Sequence, residues 1–160
     1  MPAGVALGPI YAALRAILVA DGTLGDLLAP DKRDPSLPGI YTDGAVPSGA
    51  VRPYLTIGAG TQIPAHTMGQ PHQPRYGWDC TVQLTAVGQG DGEDEGLAIM
   101  DAVGKAVFDG RELTGGSPGM LADYESGWCD DFVLQPTIIS ISSGITIRHW
   151  PAILRVYVHD

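Results

Sequence analysis

Hydrophobic and polar positions alternate most cleanly between Trp78 and Val87. Trp78, Cys80, Val82, Leu84 and Ala86 take one face, and Asp79, Thr81, Gln83 and Thr85 take the other. A period of two marks a strand with one dry face. After the turn Gly88-Gln89-Gly90-Asp91-Gly92 the period changes, and Leu97, Met100, Val103 and Val107 recur at helical spacing, with Ala106 and Phe108 widening the stripe. Asp91 or Asp94 caps this helix, while Glu93, Asp94 and Glu95 sit where the positive end of its dipole favours carboxylates. Gly110 fits a left-handed terminator.

The same reading places the other elements. Pro9 suits the first turn of a helix, and Ile10, Ala13, Leu14 and Ile17 line one side as far as Asp21. Gly22 ends it, and Leu24, Leu27 and Leu28 predict a short second helical turn or an apolar loop. From Ala29 to Gly49 the chain is rich in Pro, Asp, Gly and Ser, which support no regular element, and only Ile40-Tyr41 reads as briefly extended. Pro53 to Ile57 is a short strand with its proline at the start, where a sheet tolerates it. Gly58 to Tyr76 carries repeated Gly and Pro and little to bury; it reads as a long loop of the kind that is often functional or ordered by a partner.

Beyond a Gly-rich connection from Gly110 to Gly127, Phe132 to Ile141 predicts a strand broken near Pro136. Ser142-Ser143-Gly144 turns it into a last strand, Gly144 to Val158. There Ile145, Ile147, Ile153 and Tyr157 share one parity and Trp150, Leu154, Val156 and Val158 the other, so both faces are expected to be covered at least in part. Pro151 removes one ladder hydrogen bond and hints at a bulge or an edge. The order α-β-β-α-β-β predicts an α+β fold: a four-stranded, largely antiparallel sheet with two helices packed on one side and long Gly/Pro-rich loops. No internal repeat or domain boundary stands out, so residues 1–160 read as a single domain.

Composition narrows the function classes. The formal net charge of -9 and a pI near 4.6 argue against a general grip on nucleic acid, which needs clustered Lys and Arg. No apolar run approaches the roughly 20 residues of a membrane span, and Met1 to Gly8 lacks the pattern of a secretion signal, which predicts a cytosolic setting. Cys80 lies on an apolar strand face and Cys129 follows Trp128 in an expected loop; one possible pair and no sign of export argue against a structural disulfide.

Candidate chemistry is sparse. Asp91, Glu93, Asp94 and Glu95 lack the frame of a calcium loop, and with the pair Asp130-Asp131 they read as solvated carboxylates. His66, His72, His149 and His159 form no compact metal-ligand pattern with Cys or Asp. The glycines from Gly88 to Gly92 lie where a phosphate cradle would, but without the Lys and Ser/Thr of a P-loop and with carboxylates that repel phosphate. Ser140, Ser142 and Ser143 show no triad pattern, and Cys80 reads as packing rather than as a nucleophile. The expectation is a protein that is not an enzyme and needs no cofactor or metal. An open sheet leaves edge strands that must be blunted or paired with another chain, and a repeated head-to-tail contact closes naturally into a ring.

Several stretches also resemble a known family. Ala13-Leu14-Arg15-Ala16-Ile17-Leu18 followed by Ala20-Asp21 and Leu24, then Gly39-Ile40-Tyr41 and Arg52 to Ile57, is similar to the opening of the tail-completion, or tail-terminator, proteins of long-tailed bacteriophages. The strand from Trp78 to Val87, the helix from Leu97 to Phe108 and the closing strand from Arg148 to Val158, ending in Tyr157 to His159, follow the same order. The inserts Ala29 to Gly39 and Gly58 to Arg75 depart from it. The resemblance implies a ring, hexameric in expectation, that caps the tail tube, ends its polymerisation and offers a joint to the head connector or stopper protein. DNA would pass through the centre without specific binding, along an acidic wall. It implies no catalytic residues, a place in the tail or neck of the virion, and host cytoplasm during assembly. The loop argument assigns subunit or tube contacts to Gln62, His66, Met68, Gln70 and His72. Another neck protein or a tube subunit is the alternative within this class; a small cytosolic α+β enzyme, marked by His149 or Cys80 meeting carboxylates in a pocket, and an acidic module that sequesters a basic partner are the alternatives outside it.

Overall fold

A computed structural model describes residues 7–42, 44–66, 76–90, 92–109 and 126–159. Its elements are α1 (Leu7–Val19), α2 (Gly22–Leu27), β1 (Ile40–Thr42), β2 (Tyr54–His66), β3 (Tyr76–Gln89), α3 (Asp94–Asp109), β4 (Ser126–Leu134), β5 (Ile138–Ser142) and β6 (Ile145–His159). The strands form one sheet in the order β1-β2-β3-β6-β4, with β5 also paired to β6. All pairings are antiparallel except that of β1 with β2.

The alternation at Trp78–Ala86 does what its period requires. Those five residues and their even-numbered counterparts Trp150, Ala152, Leu154, Val156 and Val158 on β6 are buried on one face, joined by Leu55 and Ile57 of β2. Onto that face pack Ile10, Leu14 and Leu18 of α1, Leu24 of α2, and Ile99, Met100, Val103 and Val107 of α3. Cys80 and Cys129 are buried thiols, Cys129 within β4 and not in the expected loop.

The expected α+β class with helices on one side holds, but four strands and two helices become six and three. One reason is β1: Ile40 sits opposite Leu55, and Arg15 Nε donates to the Ile40 carbonyl at 2.9 Å, so three residues suffice to extend the sheet. Around Pro136 the chain forms two strands that both pair with the long β6, β4 opposite its second half and β5 opposite its first. The third helix is α2, where the Asp21 carboxylate accepts from the Leu24 amide at 2.9 Å. Leu28 then donates to the Leu24 carbonyl, so the apolar residues after Gly22 do form a helix.

The reading of Gly58 to Tyr76 as loop is corrected over its first part. β2 continues through His66, with Thr61 to His66 paired to Thr81 through Tyr76. A bulge between Gly58 and Thr61, where Ala59 has φ 48°, makes the register change possible, and Tyr11 on α1 fixes it by accepting the Gly60 amide hydrogen on its hydroxyl at 2.9 Å. A Cβ on Gly60 would lie 2.6 Å from that oxygen, so the close approach of α1 needs glycine there. Ladder pairing supplies what the composition of this segment lacks.

The segment before β2 is irregular, as its composition implies, but tightly held. Asp31 is buried, lies 3.6 Å from Arg15 and accepts the Arg33 amide at 2.8 Å. None of the helices among the described residues is long and apolar enough to cross a membrane.

Candidate assembly surfaces

Three surfaces of the described residues combine apolar or neutral character with exposure. The first is the β5–β6 hairpin. Its turn places Ser143 at φ 52° and Gly144 at φ 76°, the two positive values that a two-residue hairpin with right-handed twist requires. The pairing of β3 with β6 ends at Gln89 and Ile147, so Ile145, Thr146 and the turn stand beyond the last ladder partner on that side. Ile138, Ile139, Ile141 and Ile145 are all exposed, Ile141 at 76%. From Gln135 to Ile147 no side chain carries a charge.

The second is a groove between α3 and the edge strand β4, about 450 Å³ in volume, lined by Leu97, Met100, Gly104, Phe108, Phe132 and Leu134 with Asp101 and Lys105 on its rim. The helical stripe read from the sequence included Leu97 and Phe108, but these two are 48% and 39% exposed. The apolar residues of α3 that are buried are Ile99, Met100, Ala102, Val103, Ala106 and Val107, so the apolar arc is wider than the core uses. Gly104 admits the Phe132 ring, to which an added Cβ would come within 3.3 Å.

The third is the sheet face opposite the helices. A hollow of about 380 Å³ there is lined by Tyr54, Thr56, Gln83, Thr85, Ile138 and His149, among others. The polar half of the β3 alternation thus builds a mostly neutral floor. At the far end of this face Arg155 donates through Nε to Asp79 at 2.8 Å and lies 3.9 Å from Asp130. The hydrogen bond from Arg155, ahead of its charge, holds the Asp79 carboxyl below its usual range. Part-coverage of this face was expected from β6, and Ile147 is indeed buried while Ile153 is half-buried.

The start of α3 is clamped to the hairpin base. Glu93 accepts from Thr137 Oγ1 at 2.8 Å and from Trp150 Nε1 at 3.1 Å, and pairs with Arg148 at 3.2 Å. The bonds from Thr137 and Trp150, then the Arg148 charge, keep its carboxyl ionised to lower pH than usual. Arg148 also donates to the Gly90 carbonyl at 3.0 Å. Glu93 therefore has a specific tertiary role within the acidic run, and nothing in local sequence separates it from its neighbours.

The catalytic alternative meets a geometric obstacle. Cys80 faces the helices, whereas His149 is paired with Val87 on the opposite face, seven residues along β3, or roughly 23 Å at strand rise. Burial, then the Asp79 charge, pushes the Cys80 thiol up to about 11. His149 lies 3.3 Å from Ser140 Oγ, and burial followed by the Arg52 charge lowers its proton affinity. Its charged neighbour in that shift is a cation, not the carboxylate a triad would need. Among the described residues, no three His, Cys, Asp or Glu side chains are placed to share a metal ion.

Of the contact residues expected in the loop, Gln62 is exposed on β2, opposite Cys80, and His66 ends that strand. Met68, Gln70 and His72 lie outside the described residues. Sequence reading missed the hairpin isoleucines and the α3–β4 groove. The signal for the first was present in the uncharged, alternating run around Ser143-Gly144.

The architecture defines a class before it defines a family. It is shared with a chain of the "Virion of native gene transfer agent (GTA) particle", with a TM-score of 0.60 over 96% of both chains and 18% identity. That likeness is one of fold. Residues 12–125, more than half of the sequence, match the family described as Tail completion protein gp17, and the chain belongs to that family: it is a bacteriophage tail-completion protein, a structural protein of the virion. No curated protein shows a significant match to the sequence.

Proposed function

We propose that this protein forms a ring, of six copies, on the last ring of the tail tube, ends tube polymerisation and presents the joint for the head connector or stopper. Membership of the tail-completion family over residues 12–125 is the observation that carries this reading. The fold shared with a chain of a gene transfer agent virion agrees with it. The exposed isoleucines of the hairpin and the groove between α3 and β4 give the described residues surfaces that association would bury.

In this reading the whole chain acts as one domain and works by shape and charge, without turnover. A net charge of -9 keeps DNA sliding through the ring rather than adhering to its wall. The segment from Gln62 through His66, Met68, Gln70 and His72 contacts the tube or a neighbouring subunit. Assembly takes place in the host cytoplasm.

Particles made without the protein provide the test. Electron microscopy is expected to show tails of uncontrolled length that lack heads, and tails of normal length joined to heads would refute the proposal. A tube subunit would instead be absent along the whole tail, and a connector or stopper would leave normal tails unjoined.

A further inference from the structure

We propose that the hollow on the helix-free face of the sheet takes an acidic side chain of a neighbouring protein, its carboxylate received by Arg52 and His149. The site is complete within a single chain and does not depend on ring closure.

Arg52 gives the first reason. Acidic residues outnumber basic ones by 18 to 9, and among the described residues Arg15, Lys105, Arg148 and Arg155 each pair with a carboxylate. Lys32 and Arg33 donate to the carbonyls of Ser48 and Ala45. Arg52 differs from all of these: it is half-buried, its Nε is buried without a hydrogen-bond partner, and no described carboxylate pairs with it. A buried donor left unpaired is costly, and more so on a charged group. Its neighbour is a second base. Burial, and then the Arg52 charge, lower the proton affinity of His149, with no carboxylate acting against them. Facing His149 among the described residues are Tyr54, Val87, Ile138 and Ser140, of which only Tyr54 is titratable, and the Ser140 hydroxyl lies 3.3 Å from Nε2. An arriving anion would satisfy Arg52 and raise the proton affinity of His149 together.

The ladder registers build the hollow around this pair. Tyr54 is paired with Val87, Val87 with His149 and His149 with Ile138, so the four form one row across β2, β3, β6 and β5. Thr56, Thr85 and Pro151 form the next row. These residues and Gln83 enclose about 380 Å³, and none of them is acidic. The Thr85 hydroxyl accepts from Gln83 Nε2 at 3.3 Å, which leaves its own hydrogen to donate to a ligand. Val87, Ile138 and Pro151 supply apolar walls for the aliphatic stem of a side chain, the mixture of apolar lining and few polar groups that small sites use. A nucleic-acid backbone fits less well. It would bring a row of phosphates against a chain of net charge -9, and one arginine with one histidine is not the cluster of cations such a contact needs. Free phosphate has no apolar part for the walls to meet. A single carboxylate on an otherwise neutral protein surface answers both the charge and the lining.

The full chain in solution tests the chemistry. N-acetylglutamate α-methylamide, whose one carboxylate is that of the side chain, is titrated at constant ionic strength while the His149 ring signals are followed by nuclear magnetic resonance, with His149→Gln identifying them. A saturable shift is expected, with binding about tenfold tighter to the protonated ring, which is a rise of about one pKa unit. Arg52→Gln should abolish both effects. No saturable shift, or the same shift in Arg52→Gln, overturns the site. Should Arg52→Gln fail to fold, the glutamine analogue of the probe decides on the wild type: it should not bind, and binding equal to that of the carboxylate overturns the site. Inorganic phosphate and a short DNA duplex are the remaining arms, and a tighter response to either overturns the choice of a protein carboxylate. In particles made with wild type and Arg52→Gln together, the variant is expected to be incorporated about tenfold less often, as loss of one member of a charged contact implies. Equal incorporation overturns the neighbouring protein as the source of the carboxylate, whether or not tails end at their normal length.

Discussion

Replacing Gly96 by alanine tests how α3 is seated on the sheet. Gly96 is the third residue of α3, directly over the indole of Trp150. A Cβ at Gly96 would lie 1.8 Å from Trp150 Cδ2, 2.0 Å from Cε2 and 2.4 Å from Cε3, far inside the roughly 3.5–4.0 Å at which carbon atoms attract. The indole is hemmed in on its other side, since a Cβ on Gly88 would come within 2.7 Å of Cζ3. It is also tied by Nε1 to Glu93 and is only 4% exposed. The methyl therefore displaces either the helix or the indole. Helix propensity favours alanine by at most about 1 kcal/mol. Expelling a buried tryptophan costs about 3–5 kcal/mol, the order of its truncation. A net loss of about 2–4 kcal/mol follows, which at a urea slope of roughly 2 kcal/mol per molar lowers the unfolding midpoint by about 1–2 M. Equilibrium unfolding in urea, followed by tryptophan fluorescence and by circular dichroism, measures it. Gly96→Ala/Trp150→Leu is expected to recover part of the loss relative to Trp150→Leu alone, because leucine leaves room for the methyl. A Gly96→Ala protein as stable as the wild type would refute the packing argument.

Two further outcomes follow from the geometry. Tyr11→Phe removes the acceptor for the Gly60 amide at the β2 bulge, and should lower stability by about 1 kcal/mol in urea unfolding while speeding hydrogen exchange near the bulge; an unchanged midpoint and exchange rate would show that α1 does not hold the bulge. For His149, burial and the Arg52 charge lower the folded-state pKa below the ordinary 6.5, so the unfolded chain binds the proton more readily. Its contribution to stability is full above pH 6.5 and is lost as pH falls through the lowered value. Between pH 7 and 5 the wild type should therefore lose stability relative to His149→Gln, and parallel midpoints across that range would count against the shift.

Elements whose cause is local were legible in the residues. The period-two run at Trp78–Ala86, the helical stripe after it, the break at Pro136 and the Ser143-Gly144 turn each depend on backbone geometry within a few residues, and all appear where the pattern places them. The family resemblance was legible for a similar reason, since it lies in the order of those elements. Tertiary structure decided what depends on distant partners. Gly58 to His66 has the composition of a loop and becomes a strand because β3 offers it a ladder and Tyr11 holds its bulge. Ile40 to Thr42 is too short to predict as an element and joins the sheet through Arg15 and β2. Leu97 and Phe108 belong to the helix's apolar arc, yet they stay partly exposed and border a groove between α3 and β4 rather than fill the core. Alternation tells which side of a strand avoids water; it does not tell which strand lies beside it, because hydrogen bonding between backbones is the same for every sequence. Burial and side-chain fit across the chain make that choice, and the surfaces left open for neighbours are what remains after it is made.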